Sequence, residues 1–384
     1  MTVQRLREFG ETVFATMSAR ATKFDAINLG QGFPDADGPP RMLEIACEQI
    51  RAGNNQYGPG RGLPALREAV AAQRQRAHGV IYDPDTEVLI TVGATEAIAA
   101  AVLGLVEPGR EVIVLEPYYD AYAAAIALAG ARRVAVPLAS DGATWTVDID
   151  AVRAAITPNT AMLIINSPHN PTGAVFDRAV LNELAAVCVE HDLLVLSDEV
   201  YEFLLFGTTH TPIAALPGMR ERTVTVSSAA KSWNVTGWKT GWALAPAPLL
   251  DAVITAKQFM TYVGATPFQP AVAHALEHED AWLRGMVAEL RTGRDILVAG
   301  LRSAGLDVHD TSGTYFVVAD IGEADGLEFC LELPERIGVA AIPVQVFCDD
   351  PGPWRGKVRF AFGKRHDTLR QGVERLQLLD GRQR

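Results

Sequence analysis

The chain is poor in cysteine, in positive charge and in long apolar runs. Its four cysteines, Cys47, Cys188, Cys330 and Cys348, are spread over 384 residues. So few, at no metal-ligand spacing, argue against a disulfide framework or a cysteine-built metal site, and leave reduced packing residues as the expectation. Lys and Arg total 34 against 46 Asp and Glu, a formal charge of −12. Without a dense basic stripe this balance offers nucleic acid no general attraction, and no nucleic-acid partner is expected. Hydrophobic residues make up 48% of the chain, but Gly, Pro and charged residues break them into segments too short to cross a bilayer. The opening stretch MTVQRLREFGETVFATMSARATKF has neither the compact apolar run nor the small-residue cleavage site of a secretory leader. The expectation is a cytoplasmic protein with no membrane contact and no metal.

What is present is alternation. Between about residues 64 and 275, the runs EVLITVG, EVIVLEP, RRVAVPL, TAMLIINSP, LLVLSDEVY, RTVTVSS and GWALAP are separated by helical patterns. Several of these runs are apolar almost throughout, as central strands covered by helices on both faces must be, so the pattern predicts a mostly parallel α/β sheet. Pro64 to His78 and the alanine-rich stretch Thr95 to Val106 read as two of the helices. The character then changes. EDAWLRGMVAELRTGRDILVAGLRSAG predicts one long amphipathic helix, and GTYFVVADI, VAAIPVQVF and KVRFAFGK follow as parts of a smaller α+β unit. The expected division is a large domain over 41–275 and a small one formed by 1–40 with 276–384, without an internal repeat or a separate linker.

Polar residues collect where these strands end, which is where open α/β sheets place ligands. After EVLITVG, the amides of Ala94 and Thr95 and the Thr95 hydroxyl stand at a helix N-terminus, a setting that suits phosphate and equally a plain capped turn. EPYYDAY supplies Tyr118, Tyr119 and Tyr122, packing aromatics of which any one can stack on a flat ring. SDEVY puts Asp198 at the end of an apolar strand, where a carboxylate needs a partner such as a protonated ring nitrogen. In SSAAKSWNVTGWK, small residues surround Lys231, with Ser228 and Lys239 on either side. A phosphate cradle, a stacking aromatic, a buried carboxylate and a lysine together meet the needs of pyridoxal phosphate, whose aldehyde condenses with a lysine amine.

With NLGQGFPD, NQYGPG, NSPHNPTG and VRFAFGK added in order, the chain resembles the class I aminotransferases of pyridoxal phosphate fold type I from about Asn28 to Lys364. Within them it is most similar to the branch of kynurenine, glutamine and methionine aminotransferases, and there to bacterial N-succinyldiaminopimelate aminotransferases. The resemblance implies a large domain with a mostly parallel sheet between helices and a smaller α+β domain. It makes Lys231 the lysine that binds the cofactor covalently and moves the substrate proton, with Asp198 on the ring nitrogen. It places Asn170 and Tyr201 on the phenolic oxygen, Tyr119 on the ring face, and Ala94, Thr95, Ser228 and Lys239 on the phosphate. Arg359 would grip the substrate α-carboxylate as a planar fork, with Gly32 and Asn170 beside it. Phe14, Tyr118 and Tyr262 are candidates for the side-chain pocket. Tyr57 would reach the phosphate of a neighbouring subunit, which makes a homodimer with composite sites the expected assembly. Two positions depart from the common pattern: Lys239 stands where many members have arginine, and Thr240 follows it where an aliphatic residue or alanine is usual. The lysine still supplies a cation, so the departure bears on subgroup rather than on chemistry.

The implied reaction exchanges an amino group between an amino acid and a 2-oxo acid, with glutamate and 2-oxoglutarate as one pair. N-succinyl-LL-diaminopimelate, from lysine biosynthesis, is the first choice of donor. The alternative is a kynurenine, methionine or glutamine aminotransferase with β-lyase activity on cysteine S-conjugates. A non-enzymatic reading, the effector domain of a transcription regulator, requires an N-terminal DNA-binding domain that the residues before Asn28 are too few to form.

Overall fold

The computed structural model describes residues 2–10 and 12–379, so residues 1, 11 and 380–384 of the expected small domain lie outside the described part. Seven strands form the central sheet: β1 Val88–Val92, β2 Glu111–Glu116, β3 Arg132–Pro137, β4 Thr160–Asn166, β5 Leu194–Asp198, β6 Thr223–Ser228 and β7 Thr240–Leu244. Their order is β1-β7-β6-β5-β4-β2-β3. All seven are runs read as strands, and six of them share one direction. β7 is antiparallel to both neighbours. The connection from β6 explains this reversal. It holds only the helical turn Ala229–Ser232 and the 3-10 turn Thr236–Trp238, too little for the crossover helix that a parallel return requires.

β2, β6 and β7 are buried along their whole length, as central strands covered on both faces are. Alternate residues serve opposite faces. Val112, Val114, Met162 and Ile164 pack with the Gly93–Leu105 and Asp120–Leu128 helices, whereas Ile113, Leu163 and Val195 pack with the Arg178–Glu190 helix. The Pro64–His78 helix spans the residues read for it, with Pro64 at its first turn and Gly79 as a left-handed cap. The next helix starts at Gly93 rather than Thr95, so the glycine ending β1 already belongs to its first turn.

A second, antiparallel sheet contains β8 Asp307–Val308, β9 Phe316–Asp320, β10 Ile342–Pro343 and β11 Lys357–Ala361, in the order β8-β9-β11-β10. The long amphipathic helix is Asp280–Ser303. VAAIPVQVF does not form one strand. It divides into the two-residue strands Val339–Ala340 and Ile342–Pro343 and the 3-10 turn Val344–Phe347, because Pro343 cannot continue a ladder as a donor. Ile27–Asn28 pair in parallel with Val339–Ala340, and the amide of Ala361 donates to Leu29 O at 2.6 Å. These bonds bring residues 30–33 over the carboxyl ends of the central strands. Among the described residues no helix is long and apolar enough to cross a membrane.

Candidate active site

Strand register assembles the site. Asn166 lies opposite Asp198 at the ends of β4 and β5, and Ser228 lies opposite Gly241 at the β6–β7 boundary. Thr240 lies opposite Val92, so Lys239 and Gly93 emerge side by side. These ends open into a cavity of about 330 Å³ lined by Phe14, Gly32, Ala94, Thr95, Tyr119, Asn170, Asp198, Tyr201, Ser228, Lys231, Lys239 and Arg359, among others. Twelve sequence-predicted site residues therefore meet in one space. Tyr57, Tyr118 and Tyr262 do not line it. Tyr118 is buried elsewhere, donating to Asp349 with the Arg133 guanidinium over its ring. Tyr57 is 82% exposed, edge-on to Tyr262 at 5.8 Å between ring centroids.

Gly93 has φ 72°, and a Cβ there would stand 3.0 Å from Lys239 Nζ. A Cβ on Gly241 would stand 2.5 Å from the Gly93 carbonyl carbon and 2.7 Å from the Ala94 nitrogen. Two glycines thus let β7 lie against the helix N-terminus, with the amides of the first turn and the Lys239 ammonium around one concavity. Such a concavity suits phosphate. Burial, and then the nearby Lys231 ammonium, hold Lys239 below the usual lysine range. Among the described residues, the cavity lining carries Lys231, Lys239 and Arg359 against the single carboxylate Asp198, an imbalance that an anionic ligand would relieve.

Asp198 is almost fully buried, and burial raises its carboxyl to about 6. Its Oδ2 accepts from Tyr122 Oη at 2.6 Å, and its Oδ1 from Val200 N at 3.3 Å. Asn166 Nδ2 donates to Asp198 O at 2.9 Å while Asn166 Oδ1 accepts from Asn170 N at 2.8 Å, so one asparagine couples the SDEVY and NSPHNPTG turns. Arg359, on β11, is 1% exposed. Nη1 donates to Asn170 Oδ1 and Nη2 to Gly30 O, both at 2.9 Å, and the guanidinium lies 4.0 Å from the Phe316 ring centroid. Nε has no partner. Burial lowers the guanidinium to about 10, so it remains a cation at neutral pH. An uncommitted donor on a buried cation is a receptor for a carboxylate.

Lys231 Nζ donates to Tyr315 Oη at 2.8 Å and to Gly32 O at 3.3 Å. A Cβ on Gly32 would lie 2.7 Å from the Phe316 ring, so only glycine lets this segment lie so close to β9. Sequence reading did not single out Tyr315 or Phe316, and it offered Tyr122 only as a stacking ring. The need of Asp198 for a partner was a signal for Tyr122. Nothing local marked Tyr315.

The donor set, the glycine-lined cradle and the surplus of cations fit pyridoxal phosphate, the cofactor of fold type I enzymes. Comparison with known proteins agrees. The family model "Aminotransferase class I and II" matches residues 25–376. The chain is 56% identical to the probable N-succinyldiaminopimelate aminotransferase of Mycobacterium tuberculosis, over 99% of this chain and 98% of that one. It is 40% identical to the methionine aminotransferase of Escherichia coli, over 98% and 97%. The solved structure of N-succinyldiaminopimelate aminotransferase from M. tuberculosis superposes with a TM-score of 0.97 at 57% identity, covering 99% of this chain and 100% of that one. The chain has fold type I and belongs to the class I and II aminotransferases, enzymes that transfer amino groups.

Proposed function

We propose that this aminotransferase uses pyridoxal phosphate to move the amino group of N-succinyl-LL-diaminopimelate to 2-oxoglutarate, giving the corresponding 2-oxo acid and glutamate. The observation that carries the cofactor assignment is the convergence of Lys231, Asp198, Asn170, Tyr201, Arg359 and the Gly93–Gly241 cradle on one cavity. The 56% identity to the mycobacterial relative supports the donor. When bound, the cofactor supplies an electron-accepting ring that eases loss of the substrate Cα proton. Lys231 would hold it covalently and, once released, carry the proton. Asp198 would pair a positive ring nitrogen, and the bond from Tyr122 orients its carboxylate. Asn170 and Tyr201 would donate to the phenolic oxygen, Tyr119 would cover a ring face, and Ala94, Thr95, Ser228 and Lys239 would take the phosphate. Arg359 orients the substrate through its α-carboxylate, beside Gly32 and Asn170. Phe14 bounds the side-chain space, while Tyr57 and Tyr262 would serve the site of a second subunit in a homodimer.

A second reading has its own support. Phe14, Phe33 and Phe316 line the cavity, and among the described residues its only cations are Lys231, Lys239 and Arg359, none of them spare for a distal carboxylate. That lining favours an apolar or aromatic side chain, as in methionine or kynurenine. The test is a donor panel with 2-oxoglutarate, ranked by kcat/KM. N-succinyl-LL-diaminopimelate should rank first. Methionine or kynurenine in first place would replace it as the assigned donor, and absence of turnover with every donor would overturn the transaminase reading. Pyruvate and ammonia released without an acceptor would reveal the β-lyase activity.

A further inference from the structure

Tyr315 is the residue immediately before β9, 1% exposed, and its hydroxyl meets the Lys231 amine although no step assigned above uses it. The hydroxyl has one hydrogen, which it donates to Gly32 O. Its lone pairs are left to accept, and Lys231 Nζ donates to them at 2.8 Å. Gly32 O also accepts from Lys231 Nζ at 3.3 Å. The three groups close a triangle around the amine, and the Tyr201 and Tyr315 rings flank it with centroids 5.6 and 5.5 Å from Nζ. Neither acceptor is free to wander. The backbone of Tyr315 is tied by the Phe362 amide to Tyr315 O at 2.8 Å, and its ring stands edge-on to Tyr201. Gly363 keeps open the space beside that ring, since a Cβ there would lie 3.3 Å from Tyr315 Cγ.

We propose that Tyr315 is a positioning residue for the transamination reaction: its hydroxyl, with the Gly32 carbonyl, forms the berth that holds the Lys231 amine whenever that amine is not covalently engaged. This rests on the assignment of Lys231 above. A lysine side chain has four rotatable carbon–carbon bonds and loses considerable freedom when held in one arrangement. An amine that must move a proton at one atom benefits from being returned to one place, and a displacement of about 1 Å can cost about 100-fold in rate. Burial holds the Tyr315 hydroxyl well above its ordinary range, so it stays protonated and acts by geometry rather than as a base.

The test is Tyr315→Phe, which keeps the ring and removes only the hydroxyl. In the cofactor-free protein, labelling by methyl acetimidate read by mass spectrometry should modify Lys231 several-fold faster than in the wild type. Lys239, in the same cavity but outside the berth, should keep its rate. In the reconstituted enzyme the single-turnover rate with the best donor should fall about 10- to 100-fold, with a larger effect of α-deuteration and an unchanged donor dissociation constant. An unchanged Lys231 labelling rate, or equal acceleration at Lys231 and Lys239, would overturn the proposal, the second because it reports general loosening. So would normal single turnover with an unchanged isotope effect. A wild-type protein without transaminase activity after reconstitution would instead defeat the underlying assignment.

Discussion

Burial raises the Asp198 carboxyl from its ordinary 3.8 to about 6 in the cofactor-free chain, and this has a consequence for stability. The folded state keeps the proton over a range in which the unfolded chain has released it. Stability contributed at this site is therefore present below about pH 4, declines as pH rises to about 6, and is flat above, a difference on the order of 3 kcal/mol. Asp198→Asn removes the titration. Urea unfolding of cofactor-free protein should show the variant gaining on the wild type between pH 4 and 6, with a constant margin at higher pH; parallel curves would mean that the carboxylate is well solvated. The same variant should lose turnover after reconstitution, since a loss of about 4 kcal/mol in transition-state stabilisation is roughly a thousandfold. Asp198 was legible in the sequence because it ends an apolar strand, where a carboxylate is conspicuous, and Lys231 because small residues surround a lone lysine just past a strand; Arg359 was read only through the resemblance. Tyr122 and Tyr315 were not legible, since their partners Asp198 and Lys231 lie 76 and 84 positions away, and no local pattern encodes such a meeting.

At the scale of elements, periodicity identified the central strands and the long helix, because burial on one or both faces is written into residue choice. It missed the direction of β7, which depends on how far the connection can reach, and the start of the Gly93–Leu105 helix, which depends on the left-handed Gly93. That junction can be tested directly. Gly241→Ala would press a methyl group against Gly93 and Ala94, rigid backbone that cannot turn aside. The expected result is a loss of about 1–3 kcal/mol in stability and a cofactor dissociation constant raised by at least about tenfold. Gly237→Ala, with nothing within 4 Å of the added atom, is the control and should change neither. Normal cofactor affinity in Gly241→Ala, measured by equilibrium dialysis, would show that the close approach of β7 does not shape the phosphate site.

At the scale of the whole molecule, the exposed large apolar side chains are unevenly placed. Phe259 is 86% exposed, Tyr57 82%, Tyr262 47% and Met260 43%, and the Tyr57 and Tyr262 rings touch edge to face. Exposed apolar side chains of this kind suit a surface that another molecule covers, and the proposed occupant is a second copy of the chain, with Tyr57 reaching its phosphate site. Complementation decides this. Tyr57→Asp sets a like charge against the phosphate, and Lys231→Ala removes the covalent attachment, so each homodimer should be nearly inactive. In a mixed dimer made by co-expression, a residue acting across the interface concentrates both defects in one site. The other site combines Lys231 of one chain with Tyr57 of its partner, and activity should return to about half that of the wild type, since one site of two is whole. Purified mixed dimers as inactive as both parents would show that Tyr57 does not act across the interface. A Tyr57→Asp homodimer with full activity would remove it from the site altogether.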